Sequence, residues 1–404
     1  MNFYYECSEC KKTFSGDEMM YVCPDCSSEQ KPGCETRGVL FIRYDIEEFK
    51  SKAKNIFSNK GNRDFFKYYE LFPVKEIDNV SRLDVGNSPI HKLSEDLYIF
   101  DDTRNPSCSY KDRASLLAAA KALDYGVNTI VAASTGNAAS SLACIASSLR
   151  GLKCILCVPE NAPQAKITQM LMFGADVVRV KGTYDDAFEL SLRLTEERGY
   201  FNRNTAYNPF TVEGKKSSAY EIFDVFRNDM PDNIFIPVGD GVIISGVYKG
   251  LEDLLKVGIL NKMPKIVACQ AEGSSVIADA YKRGGEIVND PKASTLADSI
   301  LVQAPRNSIM AVDFLKRYNG DSVKVSDKSI LDAMQELASS SGVFSEPAAA
   351  CAYAGWKSFK KQNNSKQKDL ILITGNGLKD IQSAQKQVSM PQPISAMDYL
   401  KIGK

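Results

Sequence analysis

Histidine is almost absent from this sequence: His91 is the only one in 404 residues. Zinc proteases built on paired histidines are excluded, and a Ser-His or Cys-His hydrolase would have to rest on His91 alone. That residue follows the turn-like GNSPI (86–90), with no serine or carboxylate motif beside it, and reads as incidental. Net charge is missing too, because 50 basic residues cancel 50 acidic ones. No overall field favours nucleic acid or an anionic membrane, so any anion site has to be local. No run approaches the roughly 18 apolar residues of a membrane span, and the first residues lack the charged-then-apolar layout of a signal peptide. A cytoplasmic protein with neither nucleic-acid nor membrane partners is expected. The odd total of 11 cysteines argues against a disulfide framework. Several, as in KCILCVP (153–159), stand in apolar strand-like runs that suit reduced core thiols.

Four cysteines near the start do form a pattern. Cys7 and Cys10 are separated by two residues, as are Cys23 and Cys26, with twelve residues between the pairs and Cys34 left over. Two such knuckles can close a tetrahedron of thiolates around zinc, and a reducing compartment makes metal a better explanation than disulfides. Residues 1–36 are therefore expected to be a zinc-ribbon-like segment whose metal is structural, since so short a piece has little core of its own. A rubredoxin-like iron site and a ribbon without metal are the other readings of this spacing. SSEQKPGCETRG (27–38) is polar and turn-rich and reads as a linker. FFKYYELFPV (65–74) is apolar enough to be buried or to line a subunit contact.

From Leu97 onward, apolar strands alternate with helical stretches. LYIFDD (97–102), NTIVAAS (128–134), CILCVP (154–159), DVVRVK (176–181), NIFIPVG (233–239), KIVACQAE (265–272) and DLILITG (369–375) read as strands, each near a helical segment. This alternation predicts parallel sheets covered by helices on both faces, an α/β fold.

In such sheets ligands gather at the carboxyl ends of strands, where helix N-termini aim free amides. NPSCSYKDRAS (105–115) places Lys111 at one of these junctions, between LYIFDD and the helical ASLLAAAKALDYG (114–126). An amine near the positive end of a helix and beside Arg113 can have its pKa lowered enough to attack a carbonyl at neutral pH. Three further junctions carry small or hydroxylated residues: STGNAAS (134–140), GDGVIISG (239–246) and TGNG (374–377). The first two open helices, so their amides suit an anion, yet neither fits a P-loop or a full dinucleotide fingerprint. An aldehyde-reactive lysine with anion-binding helix ends is what a phosphate-bearing aldehyde cofactor needs.

Five stretches, in order, resemble motifs of the threonine synthases and their relatives among the fold-type-II pyridoxal-phosphate enzymes. NPSCSYKDR resembles the lysine motif N-P-T-G-S-F-K-D-R, and STGNAAS the S-S-G-N-T-S loop. NTAYNPFTVEGKKSSAYEI (204–222) is similar to N-S-x-N-P-x-R-x-E-G-x-K-T, SEPAAACAYAG (345–355) to E-P-A-x-A-x-x-A-G, and TGNGLKD (374–380) to T-G-H-G-L-K-D. The resemblance implies two parallel-sheet α/β domains and a homodimer. A large cofactor-binding domain over 37–115 and 206–404 would be interrupted by a small mobile one over 116–205. The resemblance further implies that pyridoxal 5'-phosphate forms its Schiff base with Lys111 and that Asn137 bonds the ring hydroxyl. Gly239, Asp240, Gly241, Val242 and Ile243 would hold the phosphate, and Thr374 would bond the pyridine nitrogen. Ser134, Thr135, Gly136, Ala138, Asn204, Thr205, Thr211 and Lys215 are the implied substrate contacts. The implied activity is that of a lyase or synthase working at the β or γ carbon of a small amino acid, with threonine from O-phosphohomoserine as the family reaction. A paralogue acting on another amino acid, such as a dehydratase or a cysteine-synthase-like enzyme, is a competing reading. A silent cofactor-binding regulator is another.

The departures bear on substrate. Members usually have glycine where Cys108 stands, asparagine at Asp240, arginine at Thr211 and often threonine at Ala138. An acid beside a phosphate costs affinity unless it is turned away. Without the arginine a phosphate loses a charge-assisted contact worth about 1.5–3 kcal/mol. Poor use of O-phosphohomoserine and better use of a smaller or uncharged amino acid are the expected consequence.

Borohydride reduction of the yellow holoprotein is expected to fix the cofactor on Lys111. Peptide mapping checks this, and a label on any other lysine would remove Lys111 from the role.

Overall fold

The computed structural model describes residues 1–399 apart from 32, 364 and 365. Three short strands open the chain: β1 (Phe3–Cys7), β2 (Thr13–Ser15) and β3 (Leu40–Tyr44). β2 and β3 both run antiparallel to β1, with Phe3 opposite Tyr44 and Cys7 opposite Leu40. The sheet thus passes the break expected at residue 36, because β3 is buried along its length and joins the main core through Phe41 and Ile42. The aromatic stretch that follows is packed within the chain, with Phe65, Tyr68, Leu71, Phe72 and Val74 buried. Burial, the first of its two readings, is the one realised.

β4 (Ile90–Lys92) pairs antiparallel with β5 (Leu97–Asp101). His91 therefore sits in a strand opposite Ile99 rather than in a turn, and its Nε2 lies 3.4 Å from Asp101 Oδ2. The next four strands, β6 (Thr129–Ala133), β7 (Lys153–Pro159), β8 (Asp176–Val180) and β9 (Phe201–Asn202), form a wholly parallel sheet in the order β8-β7-β6-β9. The chain then returns to β5 through β10 (Asn233–Pro237), β11 (Lys265–Ala271), β12 (Asp321–Val325) and β13 (Asp369–Ile373). This second sheet has the order β12-β11-β10-β13-β5-β4, parallel except for the edge strand β4.

Alternate residues of the larger sheet feed two cores. Ile234, Ile236, Leu370 and Leu372 join one cluster, while Phe235, Val267, Ile371 and Ile373 join another with the alanines of the helix Pro347–Gln362. Both faces are dry, so these strands read as nearly continuous apolar runs. Each large side chain buried in this way contributes about 1.5–3 kcal/mol.

Strand β13 inserts between β10 and β5, and its register sets Ile373 beside Asp101. The ends of β5 and β13 thus emerge together, one leading to Lys111 and the other to Thr374. The helix Lys111–Asp124 that follows β5 is anchored by Arg113, which has no exposed side-chain surface. Its Nε and Nη2 donate to the two carboxylate oxygens of Asp102 at 2.9 and 2.6 Å, and Nη1 donates to Glu221 and, at 2.9 Å, to Ser217 Oγ. Planar, two-pronged pairing of this kind suits guanidinium and not an ammonium. Arg113→Met is expected to leave two buried carboxylates unpaired and cost about 3–5 kcal/mol, read from the midpoint of urea unfolding.

Candidate active site

A cavity of about 510 Å³ lies where the strands β6, β10 and β13 end. Lys111, the first residue of its helix, opens into it together with Thr374. The loop that delivers Lys111 is pinned to the loop after β13. Tyr110 N donates to Thr374 O at 2.9 Å, and Asn376 N donates to Cys108 O at 3.1 Å. Cys108 takes φ +61° in this turn, a left-handed conformation that costs a residue with a Cβ about 1–2 kcal/mol. Glycine escapes that cost, which accounts for its usual presence in the resembling motif.

The loop Ser134–Asn137 after β6 and the turn Gly239–Ile243 after β10 form two further walls. Gly241, at φ +87°, caps the helix Val242–Lys256, and a Cβ there would come within 3.0 Å of Ala311 and Ile277. The free amides of this 15-residue helix point to an anion in the cavity. Asp240 lines the cavity, and its carboxylate is turned to a neighbouring loop. Its Oδ1 accepts from Arg306 N at 3.1 Å and its carbonyl from Asn307 N at 3.0 Å, so the carboxylate is engaged by the neighbouring loop.

Lys111, Lys215 and Arg306 line the cavity together with the carboxylates of Asp185, Asp240, Asp298 and Glu346, and Arg203 lies behind its wall. Burial pushes the pKa of Lys111 down, with Glu346 opposing that shift and Arg203 adding to it. Lys215, 1% exposed, is pushed well down by burial and then by Lys111 and Arg203. Arg203 is itself driven down to about 10 by burial. Its Nη1 donates to Thr205 Oγ1 at 3.1 Å and its Nε to Ser115 Oγ at 3.3 Å, but the buried Nη2 has no hydrogen-bond partner. Arg203 thus lowers both lysines and Lys111 lowers Lys215, an arrangement that an anion relieves. An amine whose pKa burial lowers, a helix-end cradle and a second buried lysine fit a phosphate-bearing aldehyde.

Most of the residues singled out in the sequence meet here. Ser134, Thr135, Gly136, Asn137, Ala138, Thr205 and Lys215 line the cavity with the Gly239–Ile243 turn, Lys111 and Thr374. Two do not. Asn204 is turned to the backbone behind the wall, its Oδ1 accepting from Ala133 N at 2.7 Å and its Nδ2 donating to Ser191 Oγ at 2.7 Å. Thr211 is fully buried, and its hydroxyl donates to Asn208 O at 2.7 Å. Of the two departures that pointed away from a phosphorylated substrate, Ala138 does line the cavity, but Thr211 does not face it, and Lys215 supplies a cation there instead.

Sequence reasoning missed Arg203 and Glu346. Arg203 directly follows β9, which has only two residues and leaves no periodic signal. Glu346 stands in the quoted SEPAAACAYAG stretch, but its direction could not be read from it. Asn137 Nδ2 donates to both carboxylate oxygens of Glu346 at 3.0 Å, and burial raises that carboxyl's pKa. Gly375 makes room for it, since a Cβ there would fall 2.3 Å from Glu346 Oε1.

At the N-terminus, Cys7, Cys10, Cys23 and Cys26 present sulfurs all within 4.8 Å of one another. The Cys7–Cys26 and Cys10–Cys23 Sγ pairs are each 3.7 Å apart. Tetrahedral ligands at a zinc–sulfur distance of about 2.3 Å stand about 3.8 Å apart.

Residues 81–376 match the family model described as pyridoxal-phosphate dependent enzyme, so the chain is an enzyme of that class. Among solved structures, an aspartate racemase dependent on pyridoxal 5'-phosphate superposes with a TM-score of 0.66 at 20% identity, covering 83% of this chain and 97% of its own. Maize serine racemase gives 0.64 at 21% identity, covering 78% and 92%. These shared folds carry the fold-type-II architecture and no more. Over the full length, the chain is 33% identical to the threonine synthase of Methanocaldococcus jannaschii, covering 98% of both proteins. It is 30% identical to that of Methanosarcina acetivorans, covering 98% of this chain and 96% of the relative. The protein belongs to the threonine synthase family of lyases.

Glu346 gives the site a pH signature. Its carboxylate raises the pKa of Lys111 against the burial that lowers it, so Glu346→Gln should lower that pKa further. More of the Lys111 amine is then unprotonated at a given pH. The acid limb of the pH profile for cofactor uptake by the apoprotein is expected to move to lower pH, followed by the appearance of the bound chromophore.

Proposed function

We propose that the protein forms threonine from O-phosphohomoserine, with breakage of the Cγ–O bond, release of phosphate, and addition of water oxygen at Cβ. The observation that carries this reading is the presence of Lys215 and Thr205 in one cavity with Lys111, backed by Arg203, whose Nη1 donates to Thr205 and whose Nη2 has no partner. Lys111, Asn137, the Gly239–Ile243 turn and Thr374 would hold pyridoxal 5'-phosphate, which supplies an electron sink for charge developing on the amino-acid carbons. The hydroxyl of Thr374, unlike a carboxylate, does not keep a proton on the pyridine nitrogen. Lys111 Nζ, its pKa lowered by burial, takes up and returns the protons that move between the substrate carbons. The amides at the start of the helix Asn137–Ser147 face the substrate carboxylate, with Ser134 and Thr135 alongside. Lys215 and Thr205 receive the substrate phosphate, and Arg203 supplies charge from behind. The segment 116–205, which carries Thr205, Arg203 and the Ser134 loop, moves as a unit over the rest in the homodimer.

Cys7, Cys10, Cys23 and Cys26 hold one zinc that stabilises the N-terminal sheet. Metal analysis of protein purified without chelator is expected to give one zinc per chain, unchanged by Cys34→Ser. For the reaction itself, the specificity constant for O-phosphohomoserine is expected to exceed that for other amino acids, measured as release of threonine and phosphate. Arg203→Met should raise KM for O-phosphohomoserine about ten- to a hundredfold, with the bound-cofactor spectrum retained. A higher specificity constant for an unphosphorylated amino acid would overturn this assignment.

A further inference from the structure

Two residues in the cavity wall belong neither to the cofactor cradle nor to the phosphate end. Gly33 and Cys34 come from the stretch that reads as a linker, yet they stand among the lining residues with Lys111. The segment is tied to the cysteine knuckle. Arg37 Nε donates to Glu9 Oε2 at 2.6 Å, and Gly38 N donates to the same carboxylate, which lies between Cys7 and Cys10. Cys23 N donates to Gly38 O at 2.8 Å. Gln30, four residues beyond Cys26, accepts from Arg37 N at 2.8 Å and donates to Glu35 O at 3.1 Å.

The other side of the segment is tied to the cavity mouth. Thr36 N donates to Arg306 O at 3.0 Å, and Asn289 Nδ2 donates to Glu35 Oε2 at 3.2 Å. Arg306 lines the cavity; its guanidinium lies 4.0 Å from the centre of the Phe188 ring and 3.5 Å from Asp185. The backbone of Arg306 also engages the Asp240 carboxylate in the cradle turn. A continuous set of contacts therefore runs from the knuckle through Glu9 and Arg37 to Thr36, Arg306 and the mouth.

We propose that the four-cysteine knuckle is a positioning element of the active site, holding Gly33 and Cys34 as part of the wall of the substrate cavity. The identification of that cavity as the place of turnover rests on the proposed function. The knuckle sets substrate affinity, and cofactor retention is left to the cradle and Lys111, which it reaches only at second hand, through the backbone of Arg306. A stiff wall supported from outside keeps a polar substrate out of bulk water without any contribution from the sheets that carry the chemistry.

The test uses the full-length holoenzyme and three variants: Glu9→Leu and Arg37→Leu, which cut the tie without touching a cysteine, and Cys26→Ser, which opens the knuckle itself. In each, KM for O-phosphohomoserine is expected to rise about tenfold while kcat stays within about twofold and the bound-cofactor absorbance is unchanged. Iodoacetamide labelling of Cys34, located by peptide mapping, is expected to be slowed by saturating O-phosphohomoserine in the parent protein and to be faster and unprotected in the variants. If Cys26→Ser fails to fold, the other two decide. Unchanged KM and unchanged Cys34 labelling in Glu9→Leu and Arg37→Leu overturn the proposal. Absence of phosphate release by the parent protein would instead sink the assigned reaction, and the labelling rates without substrate, expected to be faster in the variants, would still decide whether the knuckle holds the wall.

Discussion

Everything at the site depends on the parallel pairing of β5 with β13. That pairing brings two chain segments out of the sheet side by side, although Asp101 and Ile373 are far apart in sequence. The hydrogen bonds from Tyr110 N to Thr374 O and from Asn376 N to Cys108 O then fix one loop against the other. Lys111 and Thr374 serve opposite ends of the same ring in the proposed chemistry, so their separation has to be rigid. Backbone bonds in a dry setting supply that rigidity better than side-chain contacts, which lose more rotamer freedom when ordered. Arg113 completes the arrangement from beneath by holding the start of the Lys111 helix to Asp102 and Glu221.

Burial does the electrostatic work. In water Lys111, Lys215 and Arg203 would all be fully charged near neutral pH; enclosed together, all three have lowered pKa values. The repulsion that Arg203 exerts on both lysines, and Lys111 on Lys215, is a reserve that a doubly charged phosphate releases on binding. The same enclosure raises the Glu346 carboxyl, so the acid and the lysine approach each other in proton affinity. Groups pushed together in this way are suited to exchanging protons at small driving force.

The central strands were legible in the sequence because both sheet faces are dry and their residues are apolar without interruption. β4, β9 and β12 were not, for two are only two or three residues long and DSVKV of β12 alternates with charge at a sheet edge. Lys111, Thr374 and the turn at Gly239 could be found from strand-to-helix junctions, since glycine and hydroxyl residues there have few other uses. Arg203 could not, because nothing local distinguishes a buried arginine from a surface one. Thr211 shows the converse: a position picked by alignment to a motif carries the right number and the wrong direction when its hydroxyl turns to the backbone just ahead of its helix.

The place of β13 in the sheet has a consequence for how the protein is made. β5 emerges from the ribosome early, yet its permanent neighbour on one side is β13, more than 260 residues further along the chain. Until residues 369–373 arrive, β5 and β10 each present an open edge with its hydrogen-bonding groups unmet. A nascent chain halted before that point would hold most of the wall residues but no Thr374 and no pinned Lys111 loop. Cofactor capture is thereby deferred until β13 has been made, and a product truncated before it would be exposed to edge-to-edge association instead of being left as a partly active enzyme.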